Sequence, residues 1–127
     1  MIFLAAPYTG TPEEITSRMK LFCKIDGALM NAGIFTVAAI YKHLLFTNGV
    51  QLPSSWDYWS KYSIDLIDRC DAVVVVCMDG WGESVGTQSE LGHALTTGKK
   101  VLYLTHLDDM ERSVSFIKEN ITNPITR

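Results

Sequence analysis

A chain of 127 residues, 47% hydrophobic and 20% charged with a net charge of −3, is long enough for one real core and too apolar to be disordered. With no basic run or stripe, a nucleic-acid polymer is excluded as an expected partner. The longest apolar run, Ala72 to Met78, is far too short to cross a membrane, and the start "MIFLAAPYTG" lacks a basic leader and reaches Pro7 too soon for a secretion signal.

Ile2 to Ala5 reads as a short buried strand ended by Pro7. "TPEE" then carries a helix start, with Thr11 as N-cap, Pro12 at the first helical position and Glu14 placed for a capping box. Ile15, Met19, Phe22, Ile25 and Leu29 follow at helical spacing, and the helix stops near Asn31-Ala32-Gly33. Ile34 to Ala39 is a second strand candidate. Tyr41 to Pro53 mixes a possible helical turn with the loop signals Asn48-Gly49 and Pro53. Ser54 or Ser55 can cap a helix through "SWDYWSKYSIDLIDRC". Ala72 to Met78 is continuous and valine-rich, the pattern of a central strand buried on both faces. "DGWGESVG" is a loop that opens into a helix through Leu91, Ala94 and Leu95, ended by Gly98. Val101 to Leu104 is the next strand, Asp108 to Glu119 has helical spacing, and "NITNPITR" reads as an irregular tail.

Strands alternating with helices imply an α/β fold: a single domain over residues 1–127, doubly wound and Rossmann- or flavodoxin-like, with a mostly parallel sheet of four to five strands and helices on both faces. Ligands in such sheets bind beyond the carboxyl ends of the strands. The loops "APYTG" and "DGWGESVG" lie at two such ends and are expected to be neighbours. Cys23, Cys70 and Cys77 form neither a metal-type cluster nor an even disulfide set, and read as reduced thiols of a cytoplasmic protein.

Several side chains carry candidate chemistry. Glu90 falls in or just past the first turn of its helix, where the dipole and backbone donors favour a carboxylate; it is either a fixed nucleophile or an ordinary first-turn acid. Ser84, Val85 and Gly86 precede that helix, and their N–H groups with the Ser84 hydroxyl suit a phosphate or else make a simple capped turn. Asp65 shares a helical stripe with Tyr58, Tyr62 and Arg69. It is a desolvated proton donor or a surface partner of Arg69. Tyr8, at the end of the first strand, can stack on a base, hold a carboxylate, or cover the strand end. Trp81 can wall a pocket or cover the core. His43, His93 and His106 share no metal-ligand spacing, and no metal is expected.

"APYTG", the aspartate in "SIDLIDRCDAVVVVCMDG", and "SVGTQSELGHA" together resemble the nucleoside 2-deoxyribosyltransferase superfamily, in particular its 2'-deoxynucleoside 5'-monophosphate N-glycosidase branch. The resemblance runs from Ile2 to about Leu104. It implies that Glu90 attacks the anomeric carbon, that Asp65 assists departure of the base or orients the substrate, and that Tyr8 hydrogen-bonds Glu90. It further implies that Ser84 and Gly86 hold a 5'-phosphate, with Gly10 and Trp81 also on the substrate side. No cofactor is implied. The expected function is hydrolysis of the base–sugar bond of a nucleoside 5'-monophosphate. The alternatives are base exchange by a deoxyribosyltransferase and a non-catalytic nucleotide-binding module. A homodimer or larger homo-oligomer is expected by the same resemblance. The loop after the first strand lacks the arginine seen in some monophosphate hydrolases, and Arg18 is the nearest candidate, well into the helix.

Overall fold

A computed structural model describes residues 1–121. Four strands, β1 (Ile2–Ala5), β2 (Thr36–Val37), β3 (Ala72–Val76) and β4 (Lys100–Leu104), form one parallel sheet in the order β2-β1-β3-β4. The helices are α1 (Pro12–Asn31), the short α2 (His43–Thr47), α3 (Trp56–Asp68), α4 (Val85–Thr96) and α5 (Met110–Ile121), with a 3-10 turn at Ala39–Lys42 leading into α2. This is the expected α/β architecture. No described helix is long and apolar enough to cross a membrane.

The strands alternate between two cores, as the period of two in a strand requires. Ile2, Leu4, Val74 and Val76 face Phe22, Ile25 and Leu29 of α1 and Ile117 of α5. Phe3, Ala5, Val73 and Val75 face Ile67 of α3 and Leu91 and Ala94 of α4. Every residue of β3 is fully covered, so its continuous valine run reflects burial on both sides. Leu4 stands beside Val74, and Val74 beside Leu102, which keeps the large side chains in register across the sheet.

The N-terminus of α1 carries the full capping box: Glu14 N–H donates to the Thr11 hydroxyl and Thr11 N–H donates to the Glu14 carboxylate at 2.8 Å. The second strand is shorter than the sequence suggests, two residues against six. Ala39 and Ile40 instead turn inward as buried residues of the 3-10 turn. The Tyr41–Pro53 segment holds that turn's end and α2. Of the tail expected to be irregular, Asn120 and Ile121 complete α5, and residues 122–127 lie outside the described residues.

From β1 the chain crosses by α1 to β2 on one side, and from β3 by α4 to β4 on the other. The sense of winding therefore reverses between β1 and β3, where an open α/β sheet leaves a crevice at its carboxyl edge. The loops after these two strands meet there, as expected.

Candidate functional site

A cavity of about 180 Å³ opens at this edge, on the α3 and α4 side of the sheet. Tyr8 and Thr9 from the loop after β1, Lys42 from the 3-10 turn, Trp56 from α3 and residues 83–87 with Glu90 from the start of α4 enclose it. Four of the residues singled out in the sequence, Glu90, Tyr8, Ser84 and Gly86, therefore share one crevice.

Glu90 is only 6% exposed. It was expected to be held charged by the helix terminus. It is the sixth residue of α4, past the first turn where the dipole is felt, and burial wins. Its carboxyl is pushed up to about 7 by desolvation, against smaller lowering effects from the Ser63 hydroxyl and the Lys42 charge. The Ser63 hydroxyl is buried beside it without a well-aligned hydrogen bond to any protein group. Glu90 is thus poised to exchange a proton near neutrality and to gain stabilisation from any ligand group that compensates its charge.

Lys42 supplies the cation of the crevice. Its ammonium lies 5.2 Å from the centre of the Tyr8 ring and 5.1 Å from that of Trp59. Burial lowers its pKa, and the charge of Glu90 works in the opposite direction. Both rings are fixed. Trp59 donates its indole N–H to the Pro53 carbonyl at 2.7 Å, and the Tyr8 hydroxyl is 2.9 Å from His43 Nδ1. The turn itself is tied to α1, because Tyr41, beside Lys42, donates its hydroxyl to the buried Asp26 carboxylate, which also accepts from the Thr36 hydroxyl.

The expected bond from Tyr8 to Glu90 is not made. Tyr8 lines the crevice, but its hydroxyl turns to His43. Ser84 is the N-cap of α4, and its hydroxyl accepts from the Thr87 N–H at 3.2 Å. Gly86 lies beneath the Trp56 ring, where an added Cβ would come within 3.5 Å of the indole.

Three residues fall elsewhere. Asp65 has a 65% exposed side chain and pairs with Arg69 at 3.3 Å on the outer face of α3. The cause is which stripe of α3 faces in. Trp59, Ser63 and Ile67 are its buried residues, whereas Tyr58, Tyr62 and Asp65 stand outside. Asp65 therefore does not share the crevice with Glu90. Trp81 leaves the crevice wall to pack against the α3–α4 core and beside Tyr103, with ring centres 6.0 Å apart. Gly10 is not a wall of the crevice; it packs against Arg18.

Arg18 reaches out of α1 to join the two strand-end loops. It donates to the Thr9 carbonyl and, at 3.2 Å, to the Asp79 carbonyl. A Cβ added to Gly10 or to Gly80 would lie 2.8 Å from a guanidinium nitrogen, and Gly80 also has φ +89°. Arg18 thereby borders a larger cavity of about 450 Å³ on the α1 side, lined also by Glu13, Glu14, Met78 and Leu107.

Lys42, Glu83, Trp56 and Ser63 are the site residues that sequence reading missed. For Ser63 a signal existed: a small polar residue between Trp59 and Ile67, one turn from each on the same stripe. Lys42 follows the apolar run of the second strand candidate as an isolated charge, a weaker cue.

No curated protein matches the chain. Residues 1–106 match a family described as Domain of unknown function (DUF1937), a span that holds the whole sheet and every residue of the crevice. The chain belongs to that family.

Proposed function

We propose that this domain cleaves the N-glycosidic bond between a base and a sugar, with Glu90 as nucleophile and a (2'-deoxy)nucleoside 5'-monophosphate as substrate. A carboxylate bonds to the anomeric carbon as the base leaves with the electron pair of the C–N bond, and water then releases the sugar and restores the acid. The observation that carries this reading is Glu90 itself: a buried carboxylate in the switch-point crevice, titrating near 7. The motif resemblance around "SELG" supports the same assignment. Val85 and Gly86, whose amides are not taken by the Ser84 cap, offer N-terminal N–H groups of α4 to a phosphate in the same cavity. Asp65 has no part in this form of the mechanism, and Tyr8 contributes as a wall instead of a partner of Glu90.

A second reading is favoured by Glu83, which also lines the crevice. A carboxylate there accepts from a free 5'-hydroxyl and repels a phosphate, which suits a nucleoside substrate and base exchange. Incubating the protein with nucleosides and their monophosphates, with and without a second free base, separates these cases by chromatography. The proposal expects base release from monophosphates that falls at least about a thousandfold in Glu90→Gln. Retained activity in Glu90→Gln removes it. Exchange products formed from nucleosides alone select the second reading.

A further inference from the structure

We propose that Lys42 is the acid that protonates the departing base, an assignment that rests on the glycosidic reading above. Once Asp65 is found on the outer face of α3, the reaction lacks the proton donor expected from the sequence. Among the described residues that line the crevice, Lys42 is the one that carries an ammonium. It stands over two aromatic rings that are themselves hydrogen-bonded in place, and Lys42 lines the same cavity as Glu90, whose charge acts on it. The 3-10 turn that carries it is tied to α1 through Tyr41 and Asp26. A flexible lysine has thus been restricted at both ends, an arrangement that a surface lysine does not need.

The proton balance closes with these two residues and water. Glu90 gives an electron pair to the anomeric carbon, the C–N bond breaks, and its pair goes to the base nitrogen. Lys42 passes one proton to the base and becomes a neutral amine. Water next attacks the anomeric carbon, the Glu90–carbon bond breaks with its pair returning to the carboxylate, and the proton lost by water goes to Lys42. The products are a neutral base and a free sugar, and both side chains are back in their starting states. Burial lowers the Lys42 pKa, which makes it a better donor than a solvated lysine. The ionisable groups that share its surroundings are Glu90 of α4, Glu83 of the loop before α4, and Tyr8 of the loop after β1, with His43 next in the chain. Activity then needs ionised Glu90 and protonated Lys42, so kcat/KM rises through about pH 7 and falls on the alkaline side as Lys42 deprotonates.

A leaving-group test separates proton donation from mere positioning. The substrates are 2'-deoxyguanosine 5'-monophosphate and its N7-methyl derivative, whose base already bears a positive charge and departs neutral without a proton. The variants are Lys42→Gln and Lys42→Arg, the second keeping the charge but donating no proton at accessible pH. The expected result is a loss of about a hundredfold or more in kcat on the ordinary substrate in both variants. On the methylated one the loss stays under about tenfold, and the alkaline limb of the pH profile disappears. Equal losses on the two substrates, or full activity in Lys42→Arg, overturn the assignment while leaving the role of Glu90 standing. No base release by the wild-type protein from either substrate, beyond the rate in buffer, overturns both.

Discussion

The two cavities at the carboxyl edge of the sheet lie on opposite faces and use their charges in opposite ways. The larger, on the α1 side, is lined by Arg18, Glu13 and Glu14. Two of these already have structural work: Arg18 binds two loop carbonyls, and Glu14 closes the capping box of α1. The smaller, on the α3 and α4 side, holds a buried carboxylate and a confined ammonium whose pKa values are both displaced by burial. Volume therefore points to one cavity and chemistry to the other. A group fully satisfied by its own fold has little left to offer a ligand, whereas one kept at a desolvation cost gains when a ligand compensates it.

The sharpest way to probe this contrast outside activity is the pH dependence of stability. Glu90 ionises near 4.5 when exposed and near 7 when folded. Between these values the folded chain holds a proton that the unfolded chain has released, so stability falls as pH rises through that window and is flat on either side. Glu90→Gln removes the effect. Its stability relative to wild type should grow from nothing below about pH 4.5 to about 3 kcal/mol above pH 7. Urea denaturation at pH 4, 6 and 8 reads this directly, and a constant difference across the series contradicts the buried-acid account.

On the other side of the sheet, Gly80→Ala meets both a positive φ and the Arg18 guanidinium, and should lower stability by about 1–3 kcal/mol. Denaturation midpoints within a few tenths of a molar of wild type would mean that the loops do not depend on the Arg18 contact. The smallest effect is expected from Asp65→Asn. Its exposed pair with Arg69 is worth at most about 0.5 kcal/mol, and base release should stay within about twofold of wild type. A large kinetic loss there would return Asp65 to the mechanism.

These outcomes bear on how far sequence alone carries. The parallel sheet was legible because its signals are local: the capping box at Thr11, the apolar valine run of β3, the serine at the start of α4. Glu90 was legible for the same reason, since a glycine-containing turn fixes its place at the ligand edge. Its ionisation was not, because its burial is a tertiary property, and the Ser63 and Lys42 groups that act against it come from segments distant in the chain. Asp65 was misplaced because α3 carries aromatic residues on two stripes. The eye follows Tyr58 and Tyr62, while the sheet takes Trp59, Ser63 and Ile67. Lys42 was passed over, and His43 weighed only as a metal ligand, because the segment from Tyr41 to Pro53 shows no strong period, and its place over the crevice is set by Asp26, a contact made fifteen residues away.

The guanidinium wedged between Gly10 and Gly80 also has an evolutionary reading. The arginine crowds both glycines, yet its loss alone frees neither, because Gly80 keeps its positive φ and a Cβ at Gly10 still meets the Glu14 side chain. Drift should then be one-sided: a descendant can lose the arginine and keep both glycines, whereas a glycine is replaced only with a further change, in the backbone at Gly80 or in Glu14 beside Gly10.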